Sequence, residues 1–131
     1  MATIRAYTTI EQSKKLIELG VDINTADIIY TTFYGKVDKD LPIPKEVYDM
    51  IKSPINRDKI IFAWSLTALL EYAKYAYKEG YIAIESCVGD DERWQVAIYS
   101  YEEGSVKAFE ELKLIDAAFQ MVCWLKKEKY I

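Results

Sequence analysis

Fifteen residues, Ala63-Trp64-Ser65-Leu66-Thr67-Ala68-Leu69-Leu70-Glu71-Tyr72-Ala73-Lys74-Tyr75-Ala76-Tyr77, constrain this chain more than any others. Ser65 has the chemistry of a helix N-cap, a short side chain that accepts a bond from a free amide of the first turn. Trp64 stands just before it and is spaced to pack onto Leu69, a hydrophobic staple that sets how the chain enters the helix. Leu66, Leu69, Leu70, Ala73 and Tyr77 then recur at helical spacing. Ala68, Tyr72, Tyr75 and Ala76 form a second apolar band beside them, which leaves Thr67, Glu71, Lys74 and Lys78 as a narrow polar strip. A helix covered on one side needs an apolar arc of only about 100°. This helix, expected from Leu66 to about Lys78 with Gly80 as its stop, asks for cover on two sides.

The flanking sequence supplies elements to provide that cover. Thr9-Ile10-Glu11-Gln12 matches a capping box, and Gly20-Val21 reads as a Schellman-type stop, so Ile10–Leu19 is expected to be a helix. Ile28-Ile29-Tyr30-Thr31-Thr32-Phe33 is a run of β-branched and aromatic residues bounded by turn chemistry, and reads as a strand. Residues 34–60 hold all three prolines and no strong periodicity, and are expected to form an irregular insert in which Pro44 opens a short helix through Met50 or Ile51. Tyr81–Val88 and Arg93–Tyr101 flank the turn Gly89-Asp90-Asp91-Glu92 and read as a hairpin, with Val106–Glu110 a third strand. Ile82, Ile84 and Val88 share one face with Trp94, Val96 and Ile98, suited to lie against the central helix. From about Leu112 the helical period returns through Ile115, Phe119 and Val122, and Lys126, Lys127 and Lys129 complement the negative end.

The expected fold is α+β. It is a two-layer domain of order α-β-(irregular insert)-α-β-β-β-α, with the helices on one face of a mainly antiparallel sheet. Its 131 residues fit a single domain, 1–131, and a composition that is 51% hydrophobic and 29% charged excludes a disordered or collagen-like chain.

Charge narrows the function. The formal net charge is −4; residues 1–65 hold nine basic and nine acidic residues, residues 66–131 eight and twelve. A nucleic-acid binder needs a basic footprint to displace counterions from phosphates, and none is visible. No run approaches the ~18 apolar residues of a membrane span, and the start lacks the charged-then-apolar pattern of an export signal. A cytoplasmic location follows as the expectation, with Cys87 and Cys123 as reduced, partly buried thiols.

Catalytic chemistry is sparse. With no histidine in the chain, Ser-His-Asp and Cys-His systems are excluded, and with them the commonest metal ligand. Two distant cysteines make no zinc signature, and the glycines stand singly rather than in a phosphate-binding loop. Asp90-Asp91-Glu92 lacks the alternation of a calcium loop and reads as a solvated hairpin tip, and Glu102-Glu103 and Glu110-Glu111 read as turn and helix-start acids. No catalytic residue, metal or cofactor is therefore expected. The aromatic content is the one functional pointer: Tyr72, Tyr75, Tyr81, Tyr99 and Tyr101 form the candidate interaction surface. The primary reading is a non-enzymatic protein-interaction module, expected as a homodimer with a protein partner of unspecified kind. One alternative is a nucleic-acid binder that stacks bases on sheet tyrosines, disfavoured by Glu85, Glu102 and Glu103 beside them. Another is a carboxylate-based hydrolase, whose paired acids are recognised only by their spacing in space.

Three stretches carry a resemblance. Tyr7-Thr8-Thr9-Ile10-Glu11-Gln12-Ser13-Lys14-Lys15-Leu16, Ala63-Trp64-Ser65-Leu66-Thr67-Ala68-Leu69-Leu70 and Asp116-Ala117-Ala118-Phe119-Gln120-Met121-Val122-Cys123-Trp124-Leu125 together resemble a group of small uncharacterised proteins encoded on prophages and other mobile elements of gut bacteria. The resemblance implies a bacterial cytoplasm and a mobile-element role. It implies no activity and no site residues.

Overall fold

The computed structural model describes residues 6–30, 32–33, 36–37, 42–46, 60–86 and 93–130. Among the described residues it is an α+β arrangement with three complete α-helices and antiparallel strands.

Helix α1 (Ile10–Glu18) forms where its ends require it. The Thr9 hydroxyl accepts from the Gln12 N–H at 3.1 Å, and the Gln12 side-chain oxygen Oε1 accepts from the Thr9 N–H at 3.0 Å, a complete capping box. At the other end Gly20 takes φ +90, the Gly20 N–H donates to Ile17 O, and the Val21 N–H donates to Leu16 O. These are the two bonds of a Schellman stop, and the positive φ is why glycine stands there.

The expected strand 28–33 divides. β1 (Ile28–Tyr30) and β2 (Thr32–Phe33) belong to different sheets, with β2 paired to β3 (Lys36–Val37). β1 is the middle of a three-stranded antiparallel sheet between β4 (Ile43–Pro44) and β5 (Ile61–Ala63). A run of β-formers reports propensity, not which neighbour each residue pairs with, so the division is silent in the sequence. Regular structure thus enters the stretch read as irregular. Pro44 ends a strand, helical residues begin at Lys45, and the expected continuation to Met50 or Ile51 lies outside the described residues.

Helix α2 (Leu66–Ala76) is capped as expected, with the Ser65 hydroxyl accepting from the Ala68 N–H at 3.1 Å. It stops earlier than Lys78. Tyr77 is already extended, and Gly80 opens β6 (Gly80–Ser86) rather than ending the helix. The glycine answers a tertiary need: a Cβ at position 80 would lie 1.6 Å from the carbonyl oxygen of Tyr99.

β6 pairs with β7 (Trp94–Ser100), and β7 with β8 (Gly104–Glu111), giving the antiparallel order β6-β7-β8. The expected turn 89–92 lies outside the described residues. β8 carries an irregularity opposite Ile98 and Tyr99 that leaves Val106 over as a bulge residue, partly buried against the core. Helix α3 (Leu114–Lys127) begins two residues later than expected, with Leu112 63% exposed before it.

The hairpin face was expected against α2; instead α3 takes that place, packing on β7 and β8 and on α2. Ile115, Ala117, Ala118, Met121, Val122, Cys123 and Leu125 of α3 are all buried. Val96 and Ile98 of β7, Leu69 of α2, Leu16 of α1 and Trp64 complete one core with them. Each large side chain removed from water in this way contributes about 1.5–3 kcal/mol.

Trp64 is also polar glue. Its ring N–H donates to Thr25 Oγ1 at 2.9 Å, and its backbone N–H donates to Thr8 Oγ1 at 3.1 Å. Thr8 Oγ1 also bonds Ser13 Oγ at 2.7 Å, and the Tyr30 hydroxyl donates to the Thr8 carbonyl at 2.7 Å. Thr8 and Ser13 are fully buried, and buried hydroxyls persist only when bonded in this way. Asp27 accepts from the Ser65 N–H at 2.8 Å and from the Ser65 hydroxyl at 2.5 Å, so it orients the cap of α2 from a distant loop. No helix among the described residues is long and apolar enough to cross a membrane.

Candidate interaction surface

The five tyrosines fall into two groups, each at its own cleft. Tyr72 and Tyr75 come from α2 and line a cleft of about 410 Å³ with Asp22, Asn24, Glu71 and Lys126. Tyr72 is a correction to the expected surface: only 6% of it is exposed, and it belongs to the core. Its position on the second apolar band brings it under the loop after α1, whose Val21 and Ala26 are buried in the same cluster. Burial, and then the negative Asp22, raise its hydroxyl pKa above the ordinary tyrosine value. One turn on, Tyr75 is 70% exposed, with Lys78 Nζ 5.1 Å from its ring centre.

Tyr81, Tyr99 and Tyr101 form the second group, assembled by strand register. Tyr81 and Tyr99 are directly opposite on β6 and β7, and their rings stack at 5.2 Å with planes 13° apart. Tyr101 follows β7 in the turn, its ring 5.9 Å from Tyr81. Tyr81 is 50% exposed and Tyr101 74%, so this is an aromatic ledge open to water. Beside it runs a groove of about 390 Å³ lined by Leu70, Lys74, Tyr77, Ile82 and Ile84 together with Tyr81 and Tyr101.

Ile84 and Trp94 are corrections of a second kind. Both lie on the face expected to be covered, yet they are 42% and 38% exposed. α3 covers β7 and β8, α2 touches β6 only lightly, and the helix layer leaves this end of the sheet open. The groove residues Leu70, Lys74 and Ile84 were legible in the sequence only as parts of an amphipathic helix and a strand. Nothing in their spacing shows that the two elements leave a gap between them.

Among the described residues no three or more Cys, Asp or Glu side chains converge to hold a metal ion. Asp90, Asp91 and Glu92 lie outside them. Glu102, Glu103 and Glu110 are exposed, while Glu111 accepts a bond from the side-chain amide of Gln120. Cys123 is a free, buried thiol whose pKa burial raises, the opposite of an activated nucleophile. Cys87 lies outside the described residues.

Compared with known proteins, the chain matches no family model, no curated protein and no solved structure.

Proposed function

We propose that this chain is a non-enzymatic protein-interaction module that acts by surface contact and associates with itself as a homodimer. One observation carries the reading: a stacked, water-exposed tyrosine ledge lies next to an apolar groove on the same strand. Tyrosine offers a large rigid contact area with a polar tip, and aromatic residues are enriched where proteins meet. The sequence resemblance adds a setting to this proposal, the cytoplasm of a bacterium carrying a mobile element. Sedimentation velocity on the purified chain at about 100 µM, above the dissociation constants of most specific interfaces, tests it. A dimer is expected, and a monomer throughout would defeat the self-association.

The same ledge gives a nucleic-acid reading its only foothold. Tyr81 and Tyr99 spend their faces on each other, and Glu85, Glu102 and Glu103 are exposed nearby in sequence. A gel shift with single- and double-stranded DNA and RNA at low salt separates the two readings, because electrostatic binding is strongest there. No shift is expected.

A further inference from the structure

The C-terminal sheet has two edges, and they are built differently. β8 is guarded: it carries the bulge at Val106, the exposed Lys107, and Glu110 and Glu111 at its end. These are the devices that stop an edge strand from pairing with another chain. β6, Gly80-Tyr81-Ile82-Ala83-Ile84-Glu85-Ser86, is less protected, with only Glu85 of this kind. It holds no proline and no lysine, it pairs in unbroken register with β7 over all seven residues, and its one charge lies near its end. Among the described residues no strand covers its outer edge.

Register identifies which backbone groups point away from β7. The Tyr101 N–H donates to the Glu79 carbonyl, so the pair Glu79–Tyr101 is a hydrogen-bonded one. Counting along the ladder, Tyr81, Ala83 and Glu85 turn their N–H and C=O groups toward β7, while Gly80, Ile82, Ile84 and Ser86 turn theirs outward. The outward residues Ile82 and Ile84 also line the groove beside Leu70.

We propose that this edge pairs with the β6 of a second copy, antiparallel about Ala83, so that two three-stranded sheets join into one of six strands. This rests on the homodimer reading above and specifies its surface. Charge selects the register. Centring on Ile82 would set Glu79 opposite Glu85 of the other copy, where like charges repel. Centring on Ile84 would leave Gly80 and Tyr81 beyond the partner's strand. Centring on Ala83 pairs every residue of β6: Gly80 with Ser86, Tyr81 with Glu85, Ile82 with Ile84, and Ala83 with itself. Ile84, 42% exposed in one copy, then covers Ile82 of its partner at the mouth of the groove. The small Ala83 sits on the two-fold axis as a non-hydrogen-bonded pair, the closest approach an antiparallel ladder makes.

Two variants of the full chain test the surface, each checked for native circular dichroism and a cooperative melt. Ile84→Lys places a charge from each copy against the partner's strand, and should raise the dimer dissociation constant by at least about a hundredfold. The matched change on the guarded edge, Ala108→Lys, should leave it unchanged. In a Cys87→Ser background, Ala83→Cys should form an intermolecular disulfide on mild oxidation, because its Cα atoms would meet at roughly 4.5 Å, within disulfide reach. This second variant decides the matter if Ile84→Lys fails to fold. A wild-type monomer would overturn both the homodimer and this surface. A wild-type dimer that survives Ile84→Lys, or gives no Ala83→Cys cross-link, would overturn the surface alone.

Discussion

Helices α2 and α3 lie against each other at the centre of the molecule, yet they are held by different means. α2 carries the local signals: Ser65 caps it, Asp27 steadies the cap, and it exposes Thr67, Glu71, Lys74 and Tyr75. α3 follows Lys113 with no side-chain cap, but buries seven residues between α2 and the sheet. The helix best announced by its sequence is therefore the less enclosed one. Capping and staple signals govern where a helix starts, whereas burial is decided by what packs around it.

That contrast is open to direct attack. Trp64→Ala should cost about 3–5 kcal/mol in chemical denaturation, the range for emptying a large core site. A loss below about 1 kcal/mol would show that the ring and its bond to Thr25 do little for the fold. Met121→Ala, at the centre of α3, should cost about 2–5 kcal/mol even though no cap is touched. If it cost no more than a surface change, the burial of α3 would contribute little to the fold.

Ser65→Ala should cost about 1–2 kcal/mol, since it removes the cap bond and the hydroxyl's bond to Asp27 but leaves the core of α2 intact. Tyr75→Ala should stay within roughly 0.5 kcal/mol, because its ring faces water. A larger loss from Tyr75→Ala than from Ser65→Ala would invert the order drawn here.

Alkaline pH probes the buried sides of both helices together. Burial raises the pKa of Tyr72 and Tyr77 above the ordinary 10.0, and of the Cys123 thiol above 9.0. Each folded group then holds its proton at pH values where the unfolded chain has released it. Stability from these groups is fully present below pH 9, and falls as pH rises past 9 and 10 toward the folded values. Urea midpoints between pH 7 and 11 should decline in that window, and the decline should shrink in a Tyr72→Phe variant. A flat profile would contradict the raised pKa values of these groups.

Much of the fold could be read because its signals are local. The capping box at Thr9 and Gln12, the glycine at Gly20, the cap at Ser65 and the alternation of β6 and β7 all depend on neighbours within a few residues. Legibility failed where a residue's role is set by a distant one. Gly80 looks like a helix stop because helices often end near glycine, but its need comes from the carbonyl of Tyr99 across a strand pair. Ile61-Phe62-Ala63 is too short to show a period, although it is β5. The candidate surface was half legible. Tyr81, Tyr99 and Tyr101 share a face by strand alternation, while Tyr72 and Tyr75, three residues apart on one helix, end with opposite fates in burial.

By itself the sequence determined where α1 and α2 begin and that a hairpin follows α2, because capping, alternation and apolar spacing act over one or two turns. Only the tertiary structure decided that α3 rather than α2 backs the sheet, that Thr8 and Ser13 form a buried polar knot with Trp64, and that β6 lies at a sheet edge among the described residues, beside a groove. Those outcomes depend on which surfaces meet, and contacts between residues far apart in the chain leave no period in the sequence to read.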